Sequence, residues 1–163
     1  MPTIERVRTF LLETEKSGKK PLLVVLGPTA SGKTAFSLKL ALEVDGEIIS
    51  TDSRQIYRHM DLGTDKISPK IREKVPHHMI DIRDPDQPYS LADFQREARR
   101  VIADIHRRKK VPMLVGGTGL YISSIVNNYQ LPIAPPNQEI RQELEKELEK
   151  EGAVSLHKML QEL

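Results

Sequence analysis

Apolar positions in this chain alternate between short continuous runs and helically spaced stripes, the pattern of a parallel sheet covered by helices. Leu22-Leu23-Val24-Val25-Leu26 is a continuous run, as a strand buried on both faces requires, and Ala35 to Leu42 carries apolar residues at helical spacing. After an Asp45-Gly46 turn, Glu47-Ile48-Ile49-Ser50 predicts a second short strand. Pro76 to Ile82 predicts a third, and Val111-Pro112-Met113-Leu114-Val115 a fourth, its proline near the start, where a lost donor does least harm. Leu91, Phe94, Ala98, Val101, Ile102 and Ile105 make one apolar helical face, opened by Ser90 and Asp93 as a capping-box pair. A further helix is predicted over Leu120 to Asn127. Ahead of the first strand, Ile4, Val7, Phe10 and Leu11 predict a short amphipathic helix docked on the body, with Ser17 to Pro21 as a linker. Residues 54 to 76, interrupted by Gly63 and Pro69, predict an exposed polar loop region.

The character changes at Leu131. Pro132, Pro135 and Pro136 make a stiff connection, after which Asn137 caps a helix with Ile140, Leu144 and Leu148 on one side and Gly152 at its end. Val154 to Leu163 forms a second amphipathic piece. The division expected is therefore an N-terminal extension over 1–19, a core domain over 20–130 and the start of a helical subdomain over 131–163. Two helices with exposed apolar stripes and no further strand read as the opening of a longer element, so the chain is expected to be an N-terminal fragment.

Composition narrows the chemistry more than the fold. Cysteine is absent from the 163 residues, which leaves carboxylates, hydroxyls, Lys, Arg and His to do any chemistry. No apolar run approaches membrane-spanning length and no signal pattern opens the chain, so a cytoplasmic protein without a membrane partner is expected. The net charge of +2 is unevenly placed: residues 139–163 hold seven acidic and four basic side chains, leaving a mildly basic body that suits a polyanion.

Gly27-Pro28-Thr29-Ala30-Ser31-Gly32-Lys33-Thr34 matches the P-loop pattern G-x-x-x-x-G-K-[ST] in full, between a predicted strand and a predicted helix. Its glycines let the backbone approach an anion, its amides and the helix start point inward, Lys33 reaches outer phosphate oxygens and Thr34 is a ligand for Mg²⁺. Asp52 closes the second strand and should face the same crevice, as a general base or a holder of a metal-bound water. The structural alternative is an Asp that caps the turn beginning at Arg54. Gly116-Gly117-Thr118-Gly119 at the end of the fourth strand offers amides and a hydroxyl to a second anionic group. His77 and His78 face opposite sides of a strand, which suits structural or substrate-edge roles better than shared metal ligation. Arg107 to Lys110 closes a helix where its dipole favours cations, with nucleic-acid contact as the alternative.

Together with Asp52 to Thr64, Pro76 to Asp81, Tyr89 to Phe94 and Gly116 to Tyr121, the P-loop residues resemble the tRNA dimethylallyltransferase family over residues 22 to about 151. The resemblance implies an α/β fold, a P-loop NTPase-like parallel sheet flanked by helices with the start of a helical insertion. It implies transfer of a dimethylallyl group from dimethylallyl diphosphate to N6 of the adenosine 3′ of a tRNA anticodon. In such a family the Gly27 to Thr34 loop holds the diphosphate that leaves, with Mg²⁺ at Thr34, instead of hydrolysing a nucleotide. Asp52, Thr118 and Lys33 take the catalytic positions; Asp52, Ser53, Arg54, Gln55, Thr118 and Arg141 take the tRNA-contacting ones. Partners are then the anticodon stem-loop and the prenyl donor, and the full-length form is expected to be a monomer. Three rival readings share the motifs: a small-molecule kinase using the P-loop for ATP, a prenyltransferase acting on free adenine nucleotide, and an inactive phosphate-binding fragment.

Overall fold

Four short segments pair in parallel: β1 (Leu23–Leu26), β2 (Gly46–Ser50), β3 (His77–His78) and β4 (Val111–Gly116), in the spatial order β1-β4-β2-β3. The computed structural model describes residues 4–131 and 137–162. It falls into two compact units, Met1–Leu131 and Pro132–Leu163.

In the first unit, helices cover the two sheet faces. On one side α1 (Ile4–Lys16) and α2 (Lys33–Val44) enclose a core of Leu40, Ala41, Ile48, Val75 and Met113. On the other, α4 (Leu91–Arg107) and α5 (Gly119–Val126) bury Ile49, Phe94, Ala98, Ile105, Leu114 and Tyr121, with the Phe94 and Tyr121 rings stacked 4.0 Å apart. The Ser90–Asp93 capping box forms as the sequence predicts: the Ser90 hydroxyl accepts from the Asp93 amide at 3.1 Å and the Asp93 carboxylate from the Ser90 amide at 3.0 Å.

Four expectations are corrected. β1 is not buried on both faces, since Val24 and Leu26 are 41% and 56% exposed. It is an edge strand, and α4 lies over β2 and β4 instead. On α1 the covered stripe runs through Ile4, Val7, Leu11 and Thr14, while Phe10 lies at its margin and is exposed. The third strand stops after His78, because Met79 (φ 64°) and Asp81 (φ 57°) turn left-handed. Residues 81–83 then bond to the backbone of Gln55 and Ile56, not to β2. Finally, residues 54–76 are no plain exposed loop: they contain α3 (Pro69–Arg72), Ile56 is fully buried, and the Lys66 ammonium is buried against Tyr57 O (2.6 Å), Asp81 (2.7 Å) and Asp61 (3.0 Å).

The end of the sheet remote from the P-loop is closed by ions. Glu47, 2% exposed, accepts from the Arg108 guanidinium through both oxygens and lies 2.7 Å from His78 Nε2. The basic run at the close of α4 is thus largely paired within the chain: Arg107 meets Asp104, and Lys110 meets Asp45 at 2.9 Å. Hydrogen bonds from Arg108 outweigh burial and hold the Glu47 carboxyl down at about 2. Because its folded pKa lies below its ordinary 4.5, its contribution is full above that value and is lost as pH falls towards 2. Thermal melts from pH 6 down to 2 should show the wild type losing stability more steeply than Glu47→Gln. Parallel acid limbs would place the stabilisation elsewhere.

In the second unit, the Asn137 carboxamide accepts from the Glu139 and Ile140 amides and caps α6 (Gln138–Glu151). Gly152, at φ 77°, then turns the chain into α7 (Ala153–Gln161). Ile140, Leu148, Val154 and Leu160 are exposed. The expected connection at Pro132, Pro135 and Pro136 lies outside the described residues.

Candidate active site

Strand register brings three turns to one place. Leu26 of β1 pairs with Gly116 of β4, and Ser50 of β2 with Val115, so the P-loop, the Thr51–Asp52 turn and the Gly117–Thr118 turn leave the sheet at one level. The crevice beyond the carboxyl ends of adjacent parallel strands is the expected ligand position in an open α/β sheet. Here it is a cleft of about 680 Å³, lined by the P-loop from Thr29 to Thr34, by Asp52, Arg54 and Gln55, and by Gly116 and Gly117.

The P-loop departs from β1 at Gly27, and Ala30 (φ 62°) and Gly32 (φ 81°) take left-handed conformations that fold it back over the start of α2. Gly32 is the N-cap and no side chain caps the helix, so the first-turn amides of Lys33 and Thr34 remain donors for an anion. Lys33 Nζ donates to Pro28 O at 2.5 Å, which holds the ammonium across the loop. Thr34 lies in the first turn of α2, half-buried at the cleft.

Asp52 caps the turn at Arg54, the structural alternative read from the sequence, and also lines the cleft. Its Oδ1 accepts from the Arg54 amide at 2.8 Å, a turn cap that fixes the carboxylate. Thr118 is tied to the same turn, its amide donating to Thr51 O (3.1 Å) and its hydroxyl accepting from the Ser53 amide (3.2 Å). The hydroxyl proton is thereby left for another acceptor. Gly116 makes this closeness possible: a Cβ there would stand 2.4 Å from Thr51 Oγ1 and 2.8 Å from the Thr51 carbonyl. Gly116→Ala should push the Thr51–Asp52 turn off β4 and cost about 1–3 kcal/mol, read by urea unfolding. A variant as stable as wild type would show that the contact relaxes freely.

The sequence assigns no cleft role to several further residues there, His77 excepted, for which a structural or substrate-edge role is expected. Ser50, the Gly63–Asp65 segment as part of the wall, and His77 line the cleft as well. Burial pushes the His77 imidazole down; its Nδ1 stands 2.6 Å from Val75 O, which makes Nδ1 the protonated nitrogen. His78 faces away to Glu47, so the two histidines divide as a strand requires. Arg54 is exposed, whereas Ser53 is half-buried. Arg141 belongs to the second unit, on the exposed surface of α6, and lines a groove there with Ile140 and Leu144.

Strand order and helix cover together define an α/β protein with a P-loop NTPase-like fold. The model of the IPP transferase family matches residues 55–163. The tRNA dimethylallyltransferase of Thermomicrobium roseum is 49% identical over 143 residues, 88% of this chain and 44% of that protein. That of Roseiflexus castenholzii is 51% identical over the same share of this chain and 47% of its own length. Among solved structures, the tRNA isopentenylpyrophosphate transferase of Bacillus halodurans is 44% identical with a TM-score of 0.68, covering 88% of this chain and 48% of that one. A eukaryotic dimethylallyltransferase acting on tRNA is 34% identical with a TM-score of 0.67, over 74% and 30%. The chain belongs to the IPP transferase family, and spans under half the length of the curated relatives it matches.

Proposed function

We propose that the chain is the donor-binding and base-activating part of an enzyme that transfers a dimethylallyl group from dimethylallyl diphosphate to N6 of the adenosine 3′ of a tRNA anticodon. The observation that carries this reading is the convergence of the P-loop, Asp52 and the Gly116–Gly117 turn at the ends of three neighbouring strands around one cleft, with Thr118 bonded to the Asp52 turn beside it. The relatives' names support the reaction class.

In the reaction the bond from the allylic carbon to the diphosphate oxygen breaks, the bond from that carbon to N6 forms, and N6 loses a proton. Negative charge grows on the departing diphosphate, and Lys33 with the first-turn amides of α2 stabilises it most where it grows most. Thr118 keeps its hydroxyl proton for the leaving oxygen. Asp52, fixed through one oxygen, accepts the N6 proton through the other. Ser53 and Arg54 flank this base and meet the adenosine, extruded from its stack, and Arg141 adds a cation for RNA on α6. The residues present suit Mg²⁺, which takes one or two protein oxygens and completes its shell with phosphate and water. Thr34 offers such an oxygen, and among the described residues no cluster of three or more His, Cys, Asp or Glu side chains occurs. When bound, the ion neutralises diphosphate charge. A tRNA substrate suits a cytoplasmic enzyme.

The test is a single-turnover assay with labelled dimethylallyl diphosphate, Mg²⁺ and an anticodon stem-loop RNA. Label appearing on the loop adenosine supports the proposal. Phosphate transfer from ATP to a small hydroxyl compound, with no prenyl transfer, would turn it into a kinase.

A further inference from the structure

The family resemblance assigns Gln55 to the target base, but its side chain is already committed. Its Nε2 donates to the carbonyls of Thr64 at 3.0 Å and Asp65 at 3.3 Å, and its Oε1 accepts from the Ser50 hydroxyl at 2.9 Å. The direction of this chain is fixed chemically. Two carbonyls can only accept, so the amide nitrogen must face them, the amide oxygen must face Ser50, and the Ser50 proton must point to Gln55. The Ser50 oxygen in turn accepts from the Asp52 amide at 3.4 Å, so the line runs from the base-bearing turn to the opposite wall. That wall, Gly63 to Asp65, lines the cleft.

The segment needs such a tie. His59 (φ 62°), Gly63 (φ 74°) and Asp65 (φ 51°) are all left-handed, and only Gly63 adopts that conformation without strain. Lys66 is fastened independently to Tyr57, Asp61 and Asp81, so the segment's far end is anchored without Gln55. The side-chain bonds to the Thr64 and Asp65 carbonyls come from Gln55, while the Thr64 hydroxyl turns back to Met60 O at 2.6 Å and Asp61 O at 3.3 Å within its own segment.

We infer that Gln55 is a positioning residue that fastens the Gly63–Asp65 wall to the end of β2 and thereby sets the width of the diphosphate cleft. The consequence for ligand binding rests on the donor-binding reading above. Gln55→Glu tests it with little change of size, because it places a second acceptor against two carbonyls. The backbone ¹⁵N order parameters of Gly63, Thr64 and Asp65 should fall from about 0.85 to below about 0.6, with Lys66 unchanged. Affinity for inorganic pyrophosphate with Mg²⁺ should drop by about tenfold. Ser50→Ala, which removes the middle donor, should move both readings in the same direction by less, and it carries the test should Gln55→Glu not fold. Unchanged order parameters and pyrophosphate affinity, with only stem-loop RNA affinity reduced, would make Gln55 a base contact and overturn the inference. If the wild type binds no pyrophosphate, the donor-binding reading fails, while the order parameters still decide whether Gln55 fastens the wall.

Discussion

Asp52→Asn is expected to slow prenyl transfer by about two to four orders of magnitude while leaving pyrophosphate affinity within about twofold. The carboxamide keeps an oxygen for the Arg54 amide, so the turn survives, but its other end donates where the carboxylate accepted. A proton leaving N6 then has no base on the cleft. The measurement is single-turnover transfer alongside pyrophosphate titration. Full activity would mean that Asp52 only caps its turn, and a joint loss of binding and activity would mean that it holds metal or phosphate instead.

Lys33→Ala should have the second largest effect, about a hundred- to a thousandfold on the transfer step, with weaker pyrophosphate binding. Its ammonium sits at the start of α2 with unpaired amides around it, where charge on a leaving diphosphate is stabilised by preorganised dipoles. Pro28 O holds the ammonium across the loop, so removing it should leave the fold intact. Circular dichroism and the melting temperature check this. Transfer and pyrophosphate binding both unchanged in a folded variant would remove the P-loop from the account.

The local parts of this site were legible in the chain because their causes are local. The P-loop spacing, the Ser90–Asp93 cap and the helix after Lys33 depend on neighbours within a few residues, and they appear where the sequence places them. What escaped it depends on distant partners. Thr51 meets Gly116 and Ser53 meets Thr118 across 65 residues, and no periodicity records such contacts. The apolar run of β1 could not disclose that α4 covers β2 and β4 and leaves Val24 and Leu26 bare. The third strand failed at Met79 and Asp81, whose left-handed backbones are set by tertiary pairing of residues 81–83 with Gln55 and Ile56. The polarity of residues 54–76 hid their role for a related reason: Lys66 and Gln55 are polar because they tie the backbone internally.

The central claim is that the cleft grips a prenyl donor by its diphosphate, and calorimetric titration of the chain with dimethylallyl diphosphate tests it most directly. The account predicts saturable one-to-one binding that requires Mg²⁺, is displaced by inorganic pyrophosphate and is weakened by Lys33→Ala. ATP bound tightly in the presence of Mg²⁺, with no affinity for the prenyl donor, would contradict it.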